Sequence, residues 1–195
     1  MSVQERKERE RADRERLILA TAREIAEDQG WDAVTTRRLA ERIEYSQPVL
    51  YSHFRGKREI IGGVALQGAA EMAVALRAAA SAADGPRARV TALARTYLDF
   101  AARSPAVYDA MFQLDGGLAF AQEDTPAPLQ DAFAALLESL GEVAGNGVDP
   151  GLFTEVFWAS LHGLATLTRA GRLPPAETER RTELLVDRLA VLSRS

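Results

Sequence analysis

The chain has no cysteine and only two histidines, His53 and His162, among 195 residues. Without thiols there can be no disulfide framework, no thiol nucleophile and no thiolate metal site. Two histidines far apart in sequence leave little for a His-based metal site or a Ser–His–Asp arrangement. No clustered catalytic set can be named, so neither an enzyme nor a cofactor is expected. Long apolar runs are also scarce. The longest uncharged candidate, Val156 to Thr168, falls well short of the ~20 residues a membrane span needs. The opening stretch MSVQERKERERADRER is charged where a secretory signal would be apolar. A cytoplasmic protein with no membrane partner is therefore expected. No run of alternating β-branched residues marks a strand.

Charge is unevenly placed. The net charge is -4, which removes any simple basic-protein argument for nucleic acid. From Val34 to Ile60, however, Arg37, Arg38, Arg42, Arg55, Lys57 and Arg58 face only Glu41, Glu44 and Glu59, so this segment carries 6 − 3 = +3 and the remainder -7. A small positive segment on an acidic chain fits a local anion-binding surface.

Helical periodicity fills the rest. Arg14 to Gln29 predicts an amphipathic helix with an apolar stripe of Leu17, Ala20, Ala22, Ile25 and Ala26. Gly30 closes it as a left-handed cap, and Trp31 can fold back on its last turn. Thr35 or Thr36 caps a short helix carrying Leu39, Ala40 and Ile43, and Glu44 to Ser46 form a turn. Ser46 then caps Gln47 to Phe54, with Pro48 in the first turn and Val49, Leu50 and Phe54 as apolar positions. A long helix starts near Lys57 and runs to about Ala80. Asp84-Gly85-Pro86, Ser104-Pro105, Thr125-Pro126 and Asp149-Pro150 each place a capping residue near a proline suited to a first helical turn. The last helix is expected over Ala176 to Leu192. Gly116-Gly117 to Asp124 and Gly145-Asn146-Gly147 read as loops. The fold class is all-α with nine helices.

Two short helices joined by a tight turn, behind a longer supporting helix, make a helix-turn-helix. Its second helix must be short and polar on one face so that its N-terminal end can enter the major groove. Gln47, Val49, Tyr51, Ser52 and His53 meet that need, with Thr36, Tyr51 and Lys57 as phosphate ligands at the rim. Phe54 is better read as core, and Arg38 and Arg42 as a solvated face. His53 fits either a phosphate contact or a cap for the following helix. The Glu/Arg-rich tail from Glu5 to Arg16 fits either a frayed helical extension or an arm that reaches DNA.

The stretches Thr35 to Ile43, Ser46 to Phe54 and Lys57 to Ile61 resemble the DNA-binding domain of tetracycline-repressor (TetR) family regulators. The element Leu50-Tyr51-x-His53-Phe54-x-x-Lys57 is the most specific part. That resemblance implies base contacts from Arg37, Gln47, Pro48 and Val49, and phosphate or supporting roles for Thr36, Tyr51, His53 and Lys57. It also implies a double-stranded operator as partner. One departure stands out: the family's turn glycine is replaced by Glu44, and a non-glycine residue held left-handed costs roughly 1–2 kcal/mol.

The C-terminal half resembles a body type of the same family, through Tyr97-Leu98-Asp99-Phe100-Ala101, Ser104 to Tyr108, Met111-Phe112 and Trp158-Ala159-Ser160-Leu161-His162-Gly163. The resemblance implies a small-molecule effector pocket, with Tyr97, Phe100, Met111, Phe112, Trp158 and His162 as candidate wall residues. Taken singly, each of these is better read as ordinary core, and His162, whose buried imidazole needs a partner, is the best single candidate for the pocket. The helix from Phe153 to Leu167 is apolar nearly all round, which predicts burial on two sides, against the core and against a second subunit. Phe157, Leu161, Leu164, Leu185 and Leu189 are the candidate homodimer residues, in a four-helix arrangement. The expected organisation is a charged extension (1–13), a helix-turn-helix domain (14–61) and an effector-binding and dimerisation domain (62–195). A ligand-responsive repressor is the leading reading. The alternatives are a helical ligand-binding protein, or an enzyme, without specific DNA binding.

Overall fold

Capping chemistry and proline placement set most of the helix ends. A computed structural model describes residues 2–190 except 142 and 146; Asn146 of the expected loop and Leu192 of the last helix lie outside these. Among the described residues there are nine α-helices and no strand. They are α1 (Val3–Gln29), α2 (Thr36–Arg42), α3 (Gln47–His53), α4 (Lys57–Ser81), α5 (Pro86–Arg103), α6 (Pro105–Phe112), α7 (Ala127–Leu140), α8 (Pro150–Arg169) and α9 (Thr178–Ala190), with single 3-10 turns at Trp31–Ala33 and Pro175–Glu177. The expected proline starts of α5, α6 and α8 are realised, and the Asp149 carboxylate accepts the Leu152 N–H at 2.8 Å to cap α8.

Contacts divide the chain into two units. Unit 1 comprises Met1–Gly68 and Ser104–Pro126; unit 2 comprises Ala69–Arg103 and Ala127–Ser195. The division falls inside α4 and places α6 with unit 1, whereas the sequence put one boundary at residue 61. A segment far along the chain joins unit 1 through tertiary contacts that local pattern does not encode.

In unit 1, α1 begins eleven residues earlier than expected, at Val3 rather than Arg14. Ser2 and Glu5 form a reciprocal capping box: the Glu5 N–H donates to Ser2 Oγ at 3.1 Å and the Ser2 N–H donates to Glu5 at 2.7 Å. The buried stripe is Ile18, Leu19, Thr21, Ala22, Ile25 and Ala26. Leu17 is 43% exposed and Ala20 also faces water, so the expected stripe was rotated by about one residue. Gly30 has positive φ (80°) but extended ψ (163°), so it does not take the left-handed helical conformation expected of the cap. Trp31 is buried, and its indole N–H donates to the Ala106 carbonyl of α6 at 2.8 Å. Glu27 accepts the Ala106 and Val107 N–H groups at 3.0 and 3.2 Å, satisfying the start of α6. Gly62 and Gly116 approach so closely that a Cβ on Gly62 would lie 2.5 Å from the Gly116 carbonyl oxygen. Beside them Arg58 pairs with Asp115 at 3.0 Å, and Asp115 is held below the usual carboxylate range by Arg58 and by the Gly117 N–H.

In unit 2, α5 packs against α7, α8 and α9, and α7 packs on α8. Tyr97, Leu93, Leu140, Phe157 and Leu161 are fully enclosed. Arg77 bridges Asp131 at 2.7 Å and Glu138 at 3.1 Å, and Arg87–Asp187 and Arg95–Glu179 tie α5 to α9. These pairs are exposed and add little, so apolar burial holds the unit. By length and composition α4 could cross a membrane, but 56% of its apolar window is buried inside the fold.

Candidate nucleic-acid interface

The Thr35 side chain accepts the Arg38 N–H at 3.2 Å and starts α2, whose Leu39 and Ala40 are buried. The chain then reverses through Glu44, which has φ 57°. The Tyr45 N–H donates to the Ala40 carbonyl at 3.0 Å and the Ile43 N–H to the Leu39 carbonyl at 3.0 Å, closing α2 around that left-handed residue. The strain expected from a Cβ at this position is therefore present. Glu44 makes no ion pair among the described residues, and Arg37 instead approaches Glu41 at 3.7 Å.

Helix α3 is anchored by Leu50, which is 1% exposed. Ser46 takes the N-cap position with Pro48 in the first turn, but its hydroxyl makes no capping hydrogen bond. Gln47, Pro48, Tyr51, Ser52 and, on α2, Arg37 all face solvent, while Thr36 and Val49 are half-buried. Thr36 Oγ1 and Tyr51 Oη lie 3.4 Å apart and join the two helices at their outer edge. Ser52 donates to the Val49 carbonyl at 2.6 Å. The α3 segment contains no acid. Phe54 ends α3 and is half-buried, in keeping with a packing role.

Two expected phosphate ligands sit differently. The His53 side chain is only 5% exposed, and its Nδ1 lies 3.3 Å from Glu15 Oε1 on α1. It neither caps the next helix nor faces solvent; it fastens the end of α3 to α1. Lys57 Nζ donates to the Trp31 carbonyl. That bond uses one of three ammonium donors and leaves two. Burial works to raise the Glu15 carboxyl, but hydrogen bonds with His53 and Arg11 together outweigh it and hold Glu15 below its ordinary range. Glu15 and Trp31 are the supporting residues that sequence reasoning missed. Glu15 sits three positions before Ile18 and seven before Ala22, on the edge of the buried stripe, and that spacing is the signal that could have found it.

The candidate effector residues divide between the units. Met111 and Phe112 belong to unit 1, where Met111 is buried and the Phe112 ring lies 4.8 Å from that of Tyr108. Tyr97, Phe100, Trp158 and His162 belong to unit 2. Within it the Trp158 indole N–H donates to Tyr97 Oη at 3.1 Å, and Tyr97 Oη lies 3.4 Å from His162 Nδ1. Phe133 meets Trp158 edge-on at 6.3 Å. Burial holds His162 below its ordinary value.

The candidate dimer residues need correction. Phe157 and Leu161 are fully buried within the subunit, and Leu189 is 9% exposed. Their side of the helices is already filled by the subunit's own core. Leu164 and Leu185 are half-buried. The exposed apolar side chains are instead Leu152, Val156 and Leu167 of α8 and Leu184 of α9.

Comparison with known sequences bears on both parts. The model of the family described as "Tetracyclin repressor-like, C-terminal domain" matches residues 90–189, half of the chain, and "Bacterial regulatory proteins, tetR family" matches residues 18–64. The chain belongs to the tetracycline-repressor (TetR) family. Its N-terminal part is 46% identical over 48 residues to the class C tetracycline repressor protein of Escherichia coli, covering 25% of this chain and 22% of that one. The chain thus spans under a quarter of the length of the tetracycline repressors it matches. Two solved structures share the fold across nearly the whole length. A protein of unknown function from Rhodococcus sp. RHA1 has TM-score 0.76 at 24% identity, covering 91% of this chain and 93% of that one. A TetR-family transcriptional regulator from Pectobacterium atrosepticum has TM-score 0.73 at 20% identity, covering 95% and 94%. The TetR-family N-terminal match takes in α2, α3 and the start of α4, and the C-terminal match takes in Tyr97, Trp158 and His162.

Proposed function

We propose that this TetR-family chain is a cytoplasmic transcription regulator rather than an enzyme. As a homodimer it binds a palindromic double-stranded operator, and it acts as a repressor relieved by a small-molecule effector. The observation that carries the DNA reading is α3, which is acid-free, exposes Gln47, Pro48, Tyr51 and Ser52, and is anchored beneath by Leu50. In this reading Gln47, Pro48 and Val49, with Arg37 beside them, meet base edges. Thr36, Tyr51 and the remaining Lys57 donors meet phosphates, Ser52 lies on the exposed side of α3 with its hydroxyl hydrogen given to the Val49 carbonyl, and His53 holds α3 at the correct angle through Glu15.

Dimerisation in this reading uses the exposed line Leu152, Val156 and Leu167 of α8 and Leu184 of α9, with Leu164 and Leu185 at its margin. The residues from 152 to 167 recur at steps of four and eleven, so they share one helix face, and Gly163 on that face has open space above it. The effector reading rests on the hydrogen-bonded Trp158–Tyr97–His162 group, which places polar atoms beside the apolar core of unit 2 and suits an uncharged, partly apolar molecule.

Capture from a pool of random duplexes tests the function. A shared palindromic sequence should be enriched, and Gln47→Ala should cost ~1–3 kcal/mol on that sequence while leaving random DNA almost unaffected. A chain that retains no duplex at low salt is not a DNA-binding regulator. Equal weakening of specific and random DNA by Gln47→Ala would remove α3 as the reading helix.

A further inference from the structure

The N-terminal half of α1 carries a line of charge that the helix-turn-helix does not use. Every residue from Ser2 to Arg14 is exposed, yet the segment is helical from Val3 and closed by its own capping box. Residues 3, 7, 11, 14 and 18 follow steps of four, four, three and four, which keeps them on one helix face. In this chain they are Val3, Lys7, Arg11, Arg14 and Ile18, and the line continues into Ala22 and Ile25. Ile18, Ala22 and Ile25 are buried against unit 1. The cations Lys7, Arg11 and Arg14 therefore extend the face by which α1 packs on the helix-turn-helix, and no acid lies on that line. The acids of the segment, Glu5, Glu8, Glu10, Asp13 and Glu15, occupy other positions, and several are engaged: Arg6 approaches Glu10 at 3.7 Å, Arg16 pairs with Asp13, and Gln4 donates to Glu8 at 2.9 Å. Lys7 and Arg14 have no ion-pair partner among the described residues. Arg11 pairs with Glu15 at 3.0 Å, and the same Glu15 oxygen meets His53 at the C-terminal end of α3.

We propose that this helical extension is a second DNA-binding element, whose Lys7, Arg11 and Arg14 contact backbone phosphates of the duplex outside the base pairs read by α3. The inference rests on the DNA-binding reading above. Two features single out this partner. The line is positive and acid-free, which complements a phosphate backbone. It is also continuous with the recognition helix through the Arg11–Glu15–His53 chain, at the point where α1 passes the end of α3. From Arg14 back to Val3 the helix reaches ~17 Å at 1.5 Å per residue, enough to follow about five base pairs of flanking duplex.

The test uses the full chain and the sequence recovered by random-duplex capture, as a duplex trimmed to that sequence and as one with about a dozen further base pairs on each side. Lys7→Gln with Arg14→Gln should lower affinity for the long duplex and reduce the slope of log affinity against log salt by about two per bound subunit. The short duplex should be bound as by the parent. Arg9→Gln with Arg16→Gln, on the opposite face, should leave both unchanged. Melting midpoints of both variants should match the parent, because the altered residues are exposed. An unchanged salt slope on the long duplex, with the parent still selecting its sequence, overturns the extension as a DNA element and leaves α3 untouched. Equal loss from both faces reduces it to a general charge effect and overturns it too. Failure of the parent to bind any duplex overturns the DNA reading itself.

Discussion

The helix-turn-helix and unit 2 differ in where their candidate functional side chains lie. In the head, α2 and α3 are seven residues each, too short to persist alone. They are held by one cap, a left-handed turn and the anchors Leu39, Ala40 and Leu50, while Arg37, Gln47 and Tyr51 look outward. In unit 2, α5 and α8 run 18 and 20 residues, and their polar groups Tyr97, Trp158 and His162 meet one another beside an apolar core. Substitution in the head should therefore cost function more than stability, and in unit 2 the reverse.

The largest effect is expected where unit 2 is densest. Phe157→Ala should destabilise the fold by about 3–5 kcal/mol, because it opens a cavity at a fully enclosed ring. Denaturant unfolding at several protein concentrations checks this, and the loss should be independent of concentration. A loss that appears only as easier subunit dissociation would return Phe157 to an interface and blur the contrast.

A smaller effect, of opposite sign, belongs to the head. Glu44→Gly should raise stability by about 1 kcal/mol, since glycine accepts φ 57° without a Cβ clash and its greater freedom when unfolded offsets only part of the gain. It should also tighten DNA binding slightly at low salt by removing a carboxylate near α3. A lower melting midpoint for the variant than for the parent would mean that the carboxylate stabilises the turn.

The smallest effect separates the two regions by pH. His162 is held below its ordinary value of 6.5 by burial, so below about pH 6.5 the unfolded chain takes up a proton before the folded one does. Stability from this group is complete above pH 6.5 and is lost as pH falls toward the depressed folded value. Glu15 is also depressed, from 4.5, so its contribution is complete above that pH and is lost only as the solution becomes more acidic still. Melting between pH 7.5 and 5 should thus weaken through His162 first, and His162→Asn should flatten that part of the curve. An unaltered pH dependence in the variant would show that His162 titrates alike in both states.

Most of what local rules dictate was legible in the sequence. Thr35, Ser46 and the Pro-led starts at 86, 105 and 150 are read from neighbours within a turn, and so is the strained Glu44. Long-range partners were not legible. Nothing near His53 announces Glu15, 38 positions earlier, and nothing near Trp31 announces the Ala106 carbonyl, 75 positions later. The length of α1 was missed because a chain of paired charges with almost no apolar residue gives no amphipathic period, although Ser2 and Glu5 spell a capping box.

The sequence by itself determined the all-helical class, the starts of the helices after α1 that open on a cap or a proline, the two short helices with their reversed turn, and the positive segment. Each of these depends on backbone dihedrals, caps and charge counts confined to a few adjacent residues. Only the tertiary structure decided which faces are inside. Phe157 and Leu161 lie on a helix apolar nearly all round, so periodicity could not choose between core and partner; packing within unit 2 chose the core. The same holds for His53 and Lys57, both of which the sequence reading set toward phosphates. One is closed in by Glu15 and the other is bound to Trp31, because burial depends on elements that the chain brings back from elsewhere.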